Sequence, residues 1–285
     1  MLNRFERFLF ATTTEKWVKS FPLLIYPYLV YVGLGYDWKA YTQMSPYLYA
    51  PAGLASILGN WYPSLELLYI LQALLVVSAI LAMAGQAFRF SAFVVFFISL
   101  LFDVWHNGFG FINVQIHAIW FAGFMALTGG PKTRGKRDEA LGSLAFRMAE
   151  LTVVLAYVQA GIGKLMIGGL PWITEGSTLQ IALMRQSMPL GMSLAQHSAI
   201  MPWLSAFSVG FELLFVLYYF VRPLRFPLLL TGILFHIGTY ALLGIGFFHL
   251  WVFSLSAILY APEAIGLSKW KASVKSWLGR TQISN

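Results

Sequence analysis

Lysine and histidine are the side chains best suited to moving protons in an apolar setting, and this chain places both within long apolar runs. Lys164 closes a run over 144–165, preceded by Tyr157 and Gln159. Asn113 and His117 lie in the run 111–128, His236 in 226–243 and His249 in 246–261. Asp103 and His106 follow the run 87–102, and Trp172 follows Lys164. An ionisable group in hydrocarbon is costly, so each needs a partner or a task. A lysine acts as a base only when neutral. Its reference pKa is about 10.4, and desolvation disfavours the ammonium form, as does a protonated histidine nearby. Plainer readings stand beside these. A lysine at the end of a span snorkels to the interface, and a histidine within one also serves as an interhelical hydrogen-bonding group. Glu212, nearer the inner half of the run 200–220, reads as a structural partner.

Other chemistries lack their signatures. There is no cysteine, which removes thiolate nucleophiles, thiolate metal sites and disulfides. HExxH, GxSxG and Walker patterns are absent, and no three-ligand spacing points to a metal. Gly161-Ile162-Gly163 follows no strand, so it carries no dinucleotide signal.

The elements that position these residues follow from composition. Of 285 residues, 59 % are hydrophobic and 11 % charged, and mean hydropathy is +0.70. Soluble domains carry about 25 % charged residues. Half that charge does not cover a water-facing surface, so the surface faces lipid. Apolar spans are expected near 21–36, 65–84, 87–102, 111–128, 144–165, 200–220, 226–243 and 246–261. The fold class is therefore all-α, a polytopic membrane bundle of about eight transmembrane helices. It forms a single transmembrane domain over 1–285, with 1–20 interfacial, 21–261 the helix bundle and 262–285 a basic amphipathic tail. In that tail Leu267, Trp270, Val274 and Trp277 share one face. Segments 37–64 and 165–199 read as re-entrant or interfacial pieces.

The basic residues orient the bundle. With the N-terminus inside and eight spans threaded, the inner segments collect 16 of the 19 Lys and Arg residues, leaving Lys39, Lys164 and Arg185 outside. Both termini are then cytoplasmic, and the net charge of +8 consists of orientation charges rather than a nucleic-acid surface. In this topology Asp103 and His106 fall in an outer loop. Asn113, His117, Gln159, Lys164, His236 and His249 fall in the outer half of their spans, so spans four, five, seven and eight are expected to share a polar pocket open to the extracytoplasmic side.

The motifs Tyr157, then Ala160-Gly161-Ile162-Gly163-Lys164-Leu165, then Trp172 and Gly176 resemble the horizontally transferred transmembrane (HTTM) domain family, which includes vitamin K-dependent gamma-glutamyl carboxylase. Phe235-His236 with Ile245-Gly246-x-Phe248, and the block from Asp103 to His117, resemble two further blocks in order. The AGxxKL block is also similar to one in the DoxX-like membrane proteins. The HTTM resemblance implies an active site on the outer side, with Lys164 as the base that deprotonates reduced vitamin K and His117, or else His106, assisting it. It also aligns His236 with a family histidine. Gly163 stands where the carboxylase has a first lysine, and a large lumenal domain like that of the carboxylase is not expected after the last span.

Three functions are expected on this basis. The first is a carboxylase- or epoxidase-like enzyme, acting on a reduced quinone (vitamin K or menaquinone hydroquinone) or similar lipid, with catalytic Lys164, His117 and His236. Tyr157, Gln159, Asn113, His106, Trp172 and His249 would then bind substrate, and no metal is required. The second is a non-catalytic quinone- or lipid-binding protein, or one for peptide maturation or export. The third is a small-solute transporter, though no inverted repeat is visible. Expected partners are membrane lipid, a lipid-soluble small molecule and a peptide or protein substrate.

Overall fold

The computed structural model describes residues 6, 9–10, 14–44, 46–51, 56–57, 61–109, 116–132, 135–186, 188–272 and 274. Among them the regular elements are all helical. In chain order these are α1 (Glu15–Ser20), α2 (Pro22–Gly35), α3 (Trp38–Gln43), α4 (Leu65–Met83), α5 (Phe88–Asn107) and α6 (Ile116–Ala126), then α7 (Lys136–Gly168). Three short helices follow, α8 (Pro171–Thr174), α9 (Ser177–Arg185) and α10 (Pro189–Ala195), then α11 (Met201–Leu214), α12 (Leu217–Phe220), α13 (Arg225–Leu243) and α14 (Phe248–Tyr260). Trp270 and Val274 of the expected tail lie in helical backbone, and the Trp270 ring rests 4.8 Å from that of Phe226. Trp277 lies outside the described residues.

Among the described residues five helical stretches are long and apolar enough to cross a membrane: Glu15–Gln43, Leu65–Met83, Phe88–Asn107, Lys136–Gly168 and Arg222–Leu243. Ser198–Leu214 and Phe248–Tyr260 are shorter apolar helices. An integral membrane protein has this character, because a helix satisfies its own backbone groups where water cannot. Many of the large exposed side chains are apolar, among them Phe90, Ile167, Trp203 and Phe220, as suits a surface facing lipid.

Several boundaries differ from the sequence expectation: the helix of the run 144–165 already starts at Lys136, and that of 111–128 is described over Ile116–Ala126. The run 87–102 continues as helix through Asn107, so Asp103 and His106 lie in α5 and not in a loop. Asp103 is buried and accepts a hydrogen bond from Asn107 Nδ2 at 3.0 Å; the (i, i+4) partner stabilises a carboxylate that an apolar window would not hold. The run 200–220 is broken at Phe215-Val216, where backbone bonds shorten to i→i+3 (Val216 N to Leu213 O, Tyr218 N to Phe215 O).

The chain forms two compact units, 1–149 and 150–285. In the first, α5 packs on α4 and α6, and α2 packs on α4, α5 and α6. Its interior is aromatic: Trp17 stacks on Phe21 at 4.5 Å and meets Phe146 edge-on at 5.0 Å. In the second, α11 packs on α8 and α9, and α13 packs on α10 and α14. Gly244 ends α13 in the left-handed region (φ 69°), where its N–H closes on the Tyr240 carbonyl; glycine adopts this turn without steric cost.

Candidate functional site

Three helices of the second unit bring polar groups together. On α7, Tyr157, Gly161 and Lys164 are spaced i, i+4, i+7 and share a face. On α11, Ser205, Ser208 and Glu212 are spaced i, i+3, i+7 and do the same. Gly161 lets the two backbones approach, since a Cβ there would lie 3.1 Å from Glu212 Cβ and 3.0 Å from Leu213 Cδ2. That approach lets Lys164 Nζ hydrogen-bond and ion-pair with Glu212 Oε1, and it also donates to Ser208 Oγ at 3.4 Å. The Glu212 side chain is 5 % exposed and that of Lys164 25 %.

A second polar pair joins α7 to α13. Tyr157 Oη and His236 Nε2 are 2.8 Å apart, both residues buried. Phe215 stacks on the Tyr157 ring at 4.1 Å and fixes its plane. The two pairs are electrostatic neighbours: Glu212 acts on Tyr157, and Lys164 on His236. Three buried atoms in this group have no hydrogen-bond partner among the described residues: Glu212 Oε2, His236 Nδ1 and Ser205 Oγ. A buried carboxylate oxygen left without a donor costs on the order of 1–3 kcal/mol, so the arrangement has unfilled capacity for a polar ligand atom or water.

Ser208 also lines an apolar cavity of about 320 Å³, closed by leucines of α9, α10, α11 and α13 together with Phe207 and Phe235. The one serine is thus wall of the cavity and partner of the amine. The pair can hold its proton in two arrangements, ammonium with carboxylate or amine with carboxylic acid. Both have zero net charge.

The remaining sequence candidates are placed as follows. Gln159 is exposed; two residues beyond Tyr157, it projects from the opposite side of α7 and does not join the group. Trp172, half-buried on α8, folds back over Gly168, where a Cβ would lie 3.0 Å from its Cε3. His249 is buried in the first turn of α14, and Phe247 contacts both its ring (6.3 Å) and that of His236 (5.1 Å). His106 and His117 belong to the first unit. His106 sits between the rings of Tyr36 (4.7 Å) and Tyr41 (5.5 Å), and His117 is half-buried in the first turn of α6. Asn113 lies outside the described residues. Among those described, no three His, Asp or Glu side chains gather as metal ligands do.

The chain matches no family model, no curated protein and no solved structure. The resemblance to the HTTM family therefore rests on the quoted motifs. Two residues that sequence reasoning did not assign to the site are Glu212 and Ser208. Their signal was the stripe Ser205, Ser208, Glu212 along one face of an otherwise apolar helix.

Proposed function

We propose that this chain is an eight-pass membrane protein with both termini cytoplasmic, whose second unit binds a lipid-soluble substrate and moves a proton at the Lys164–Glu212 pair. The observation that carries this reading is Ser208, which lines the apolar cavity and accepts a hydrogen bond from Lys164. An apolar body held in the cavity would bring its polar end to the pair. The volume lies within the roughly 300–1,000 Å³ of small-molecule sites.

The motif resemblance favours a reduced quinone and a carboxylase- or epoxidase-like reaction, with the site facing the extracytoplasmic side. The fit is supported by an apolar chamber for the ring and tail that Ser208 joins to the amine, with Glu212 Oε2 and His236 Nδ1 without partners near that junction although neither residue lines the chamber. A bound hydroquinone would supply an acidic O–H and the electrons for reduction of dioxygen. The pair accepts the proton, and the positive charge gained is shared by two groups. Ser208 orients the amine. Tyr157 holds His236 through Nε2, which leaves Nδ1 without a partner. The leucine walls exclude water, which strengthens each of these interactions.

The test is oxygen consumption with reduced menaquinone in nanodiscs. Lys164→Arg keeps a cation that snorkels and pairs but does not become a neutral base. It is expected to lower activity by about 10²- to 10⁴-fold while the protein stays folded. Full activity in Lys164→Arg removes Lys164 from the role of base, and no consumption by wild type with any reduced quinone removes the quinone.

A second reading is favoured by the ion pair itself, which alone explains why a lysine is tolerated there. The cavity would then hold a lipid, or a peptide bound for export, without chemistry. In that case Lys164→Arg preserves function, and the lipid co-purifies unchanged in native mass spectrometry.

A further inference from the structure

The first unit holds a different concavity where helix ends meet. α4 stops at Met83, α5 starts at Phe88, and α7 starts at Lys136. Between them opens a cleft of about 750 Å³, lined by Gly85, Arg89, Phe90, Lys136, Arg137 and Asp138. Arg89 is fixed within it: Nε donates to the Thr128 carbonyl at 3.1 Å, and a terminal nitrogen pairs with Asp138 at 2.9 Å. Lys132 lays its side chain against Gly85 at the rim, 3.4 Å from where a Cβ would stand. Lys132, Lys136 and Arg137 are exposed and have no ion-pair partner among the described residues. Asp138 is the one acidic group in the lining and is already engaged with Arg89. The cleft therefore presents three unneutralised cations. Phe90 stands beside them, 71 % exposed.

Orientation charges explain why basic residues gather on one side of a membrane. They do not explain why these ring a single cleft without acidic partners. α4 and α5 are both long and apolar enough to cross the membrane, so the cleft at their ends lies at headgroup depth. There an anionic ligand with an apolar attachment meets both kinds of surface at once: cations for the phosphate, and Phe90 for the upper acyl chain.

We infer that this cleft binds the headgroup of an anionic phospholipid, with Lys136 and Arg137 on the phosphate and Lys132 at the rim. The inference rests on the membrane placement of α4 and α5 and is independent of any chemistry at Lys164. Basic pockets between membrane helices are suited to such headgroups.

The test is native mass spectrometry of the detergent-purified full chain, titrated with phosphatidylglycerol, with phosphatidylcholine of the same tails, and with inorganic phosphate. Phosphatidylglycerol is expected to remain bound where phosphatidylcholine is lost. Lys136→Gln/Arg137→Gln is expected to weaken it roughly 25-fold, the effect of two surface cations, with thermal unfolding unchanged because neither side chain holds the fold. Arg89 is left intact because it holds the Thr128 carbonyl. Lys269→Gln/Lys271→Gln removes the same charge elsewhere and is expected to leave binding unaltered. Equal retention of the two lipids, equal weakening by the two double variants, or displacement by equimolar inorganic phosphate would each overturn the assignment.

Discussion

The two units bury polar groups in different ways. In the first, buried polar side chains turn to nearby backbone or to their own helix: Gln72 donates to the Gly33 carbonyl at 2.8 Å, Asn107 to Asp103 one turn away, and Thr128 to the Met125 carbonyl. The second has such backbone bonds too, Arg225 to the Tyr218 and Ala264 carbonyls and Ser256 to the Phe253 carbonyl, and adds bonds from side chain to side chain over long sequence separations: Lys164 with Glu212, Tyr157 with His236, and Tyr218 with Glu150. A backbone carbonyl is always present, so a side chain that caps one can be replaced without orphaning a charge. A paired ionisable group has no such fallback. Cross-helix ionic pairs give weak net stability but demand that both members be present, which is the property a site has and a scaffold does not need.

Removing one member of each kind of contact should show the largest difference. Glu212→Leu leaves the Lys164 ammonium without its carboxylate partner and is expected to destabilise by about 3–5 kcal/mol. Adding Lys164→Met to it should restore stability to near wild type, because well-packed apolar residues replace buried pairs without loss. Gln72→Leu in the first unit should lose only about 1–3 kcal/mol, the cost of one orphaned carbonyl. Chemical unfolding in detergent measures all three, and equal losses for Glu212→Leu and Gln72→Leu would erase the distinction between the units.

Helix-packing glycines sharpen the same contrast at smaller magnitude. A Cβ at Gly232 would lie 2.6 Å from Tyr157 Oη, whose position His236 and Phe215 fix. Gly232→Ala is expected to destabilise by about 1–3 kcal/mol. A Cβ at Gly33 would meet Leu75 Cδ2 at 2.5 Å, the far end of a side chain that can rotate away. There the helix propensity gained with alanine, up to about 1 kcal/mol, offsets the clash, and Gly33→Ala should be close to neutral. The reverse order in thermal shifts would place the rigid polar contact in the first unit instead.

The smallest effect is at the edge of the basic cleft. Ala87 has φ 41°, the one positive-φ residue other than glycine among the described residues. Ala87→Gly relieves that conformation and should raise stability by up to about 1 kcal/mol, less the added freedom of the unfolded chain. A loss of stability in the same unfolding assay would mean that the left-handed turn is not maintained in solution.

The helices were largely legible in the sequence because a run of apolar residues is a local signal: 21–36 became Pro22–Gly35, 65–84 became Leu65–Met83, and 226–243 became Arg225–Leu243. At one place where the signal failed, a polar side chain had found an intrahelical partner. Asp103 and His106 look like loop residues by composition, yet Asn107 completes a helical pair with Asp103. The site was legible only by halves. Lys164, Tyr157 and His236 could be singled out, each being anomalous in its own run. Their partners could not be assigned, since Lys164 and Glu212 are 48 residues apart and depth counted from span ends put them at different levels. A long lysine stem closes such a gap. Gln159 is the opposite case: its separation of two from Tyr157 already turned it to the other side of α7.

The Lys164–Glu212 contact has an electrical side. A neutral pair inside a membrane experiences no net force from the transmembrane potential, whichever group holds the proton. Once it has captured a proton it carries one positive charge, and its energy shifts with voltage by up to about 2.3 kcal/mol per 100 mV, scaled by the fraction of the field it lies across. On the proposed role, proton capture at this pair would be coupled to the polarity of the membrane, so an energised membrane and a depolarised one would set different proton occupancies at the same bulk pH.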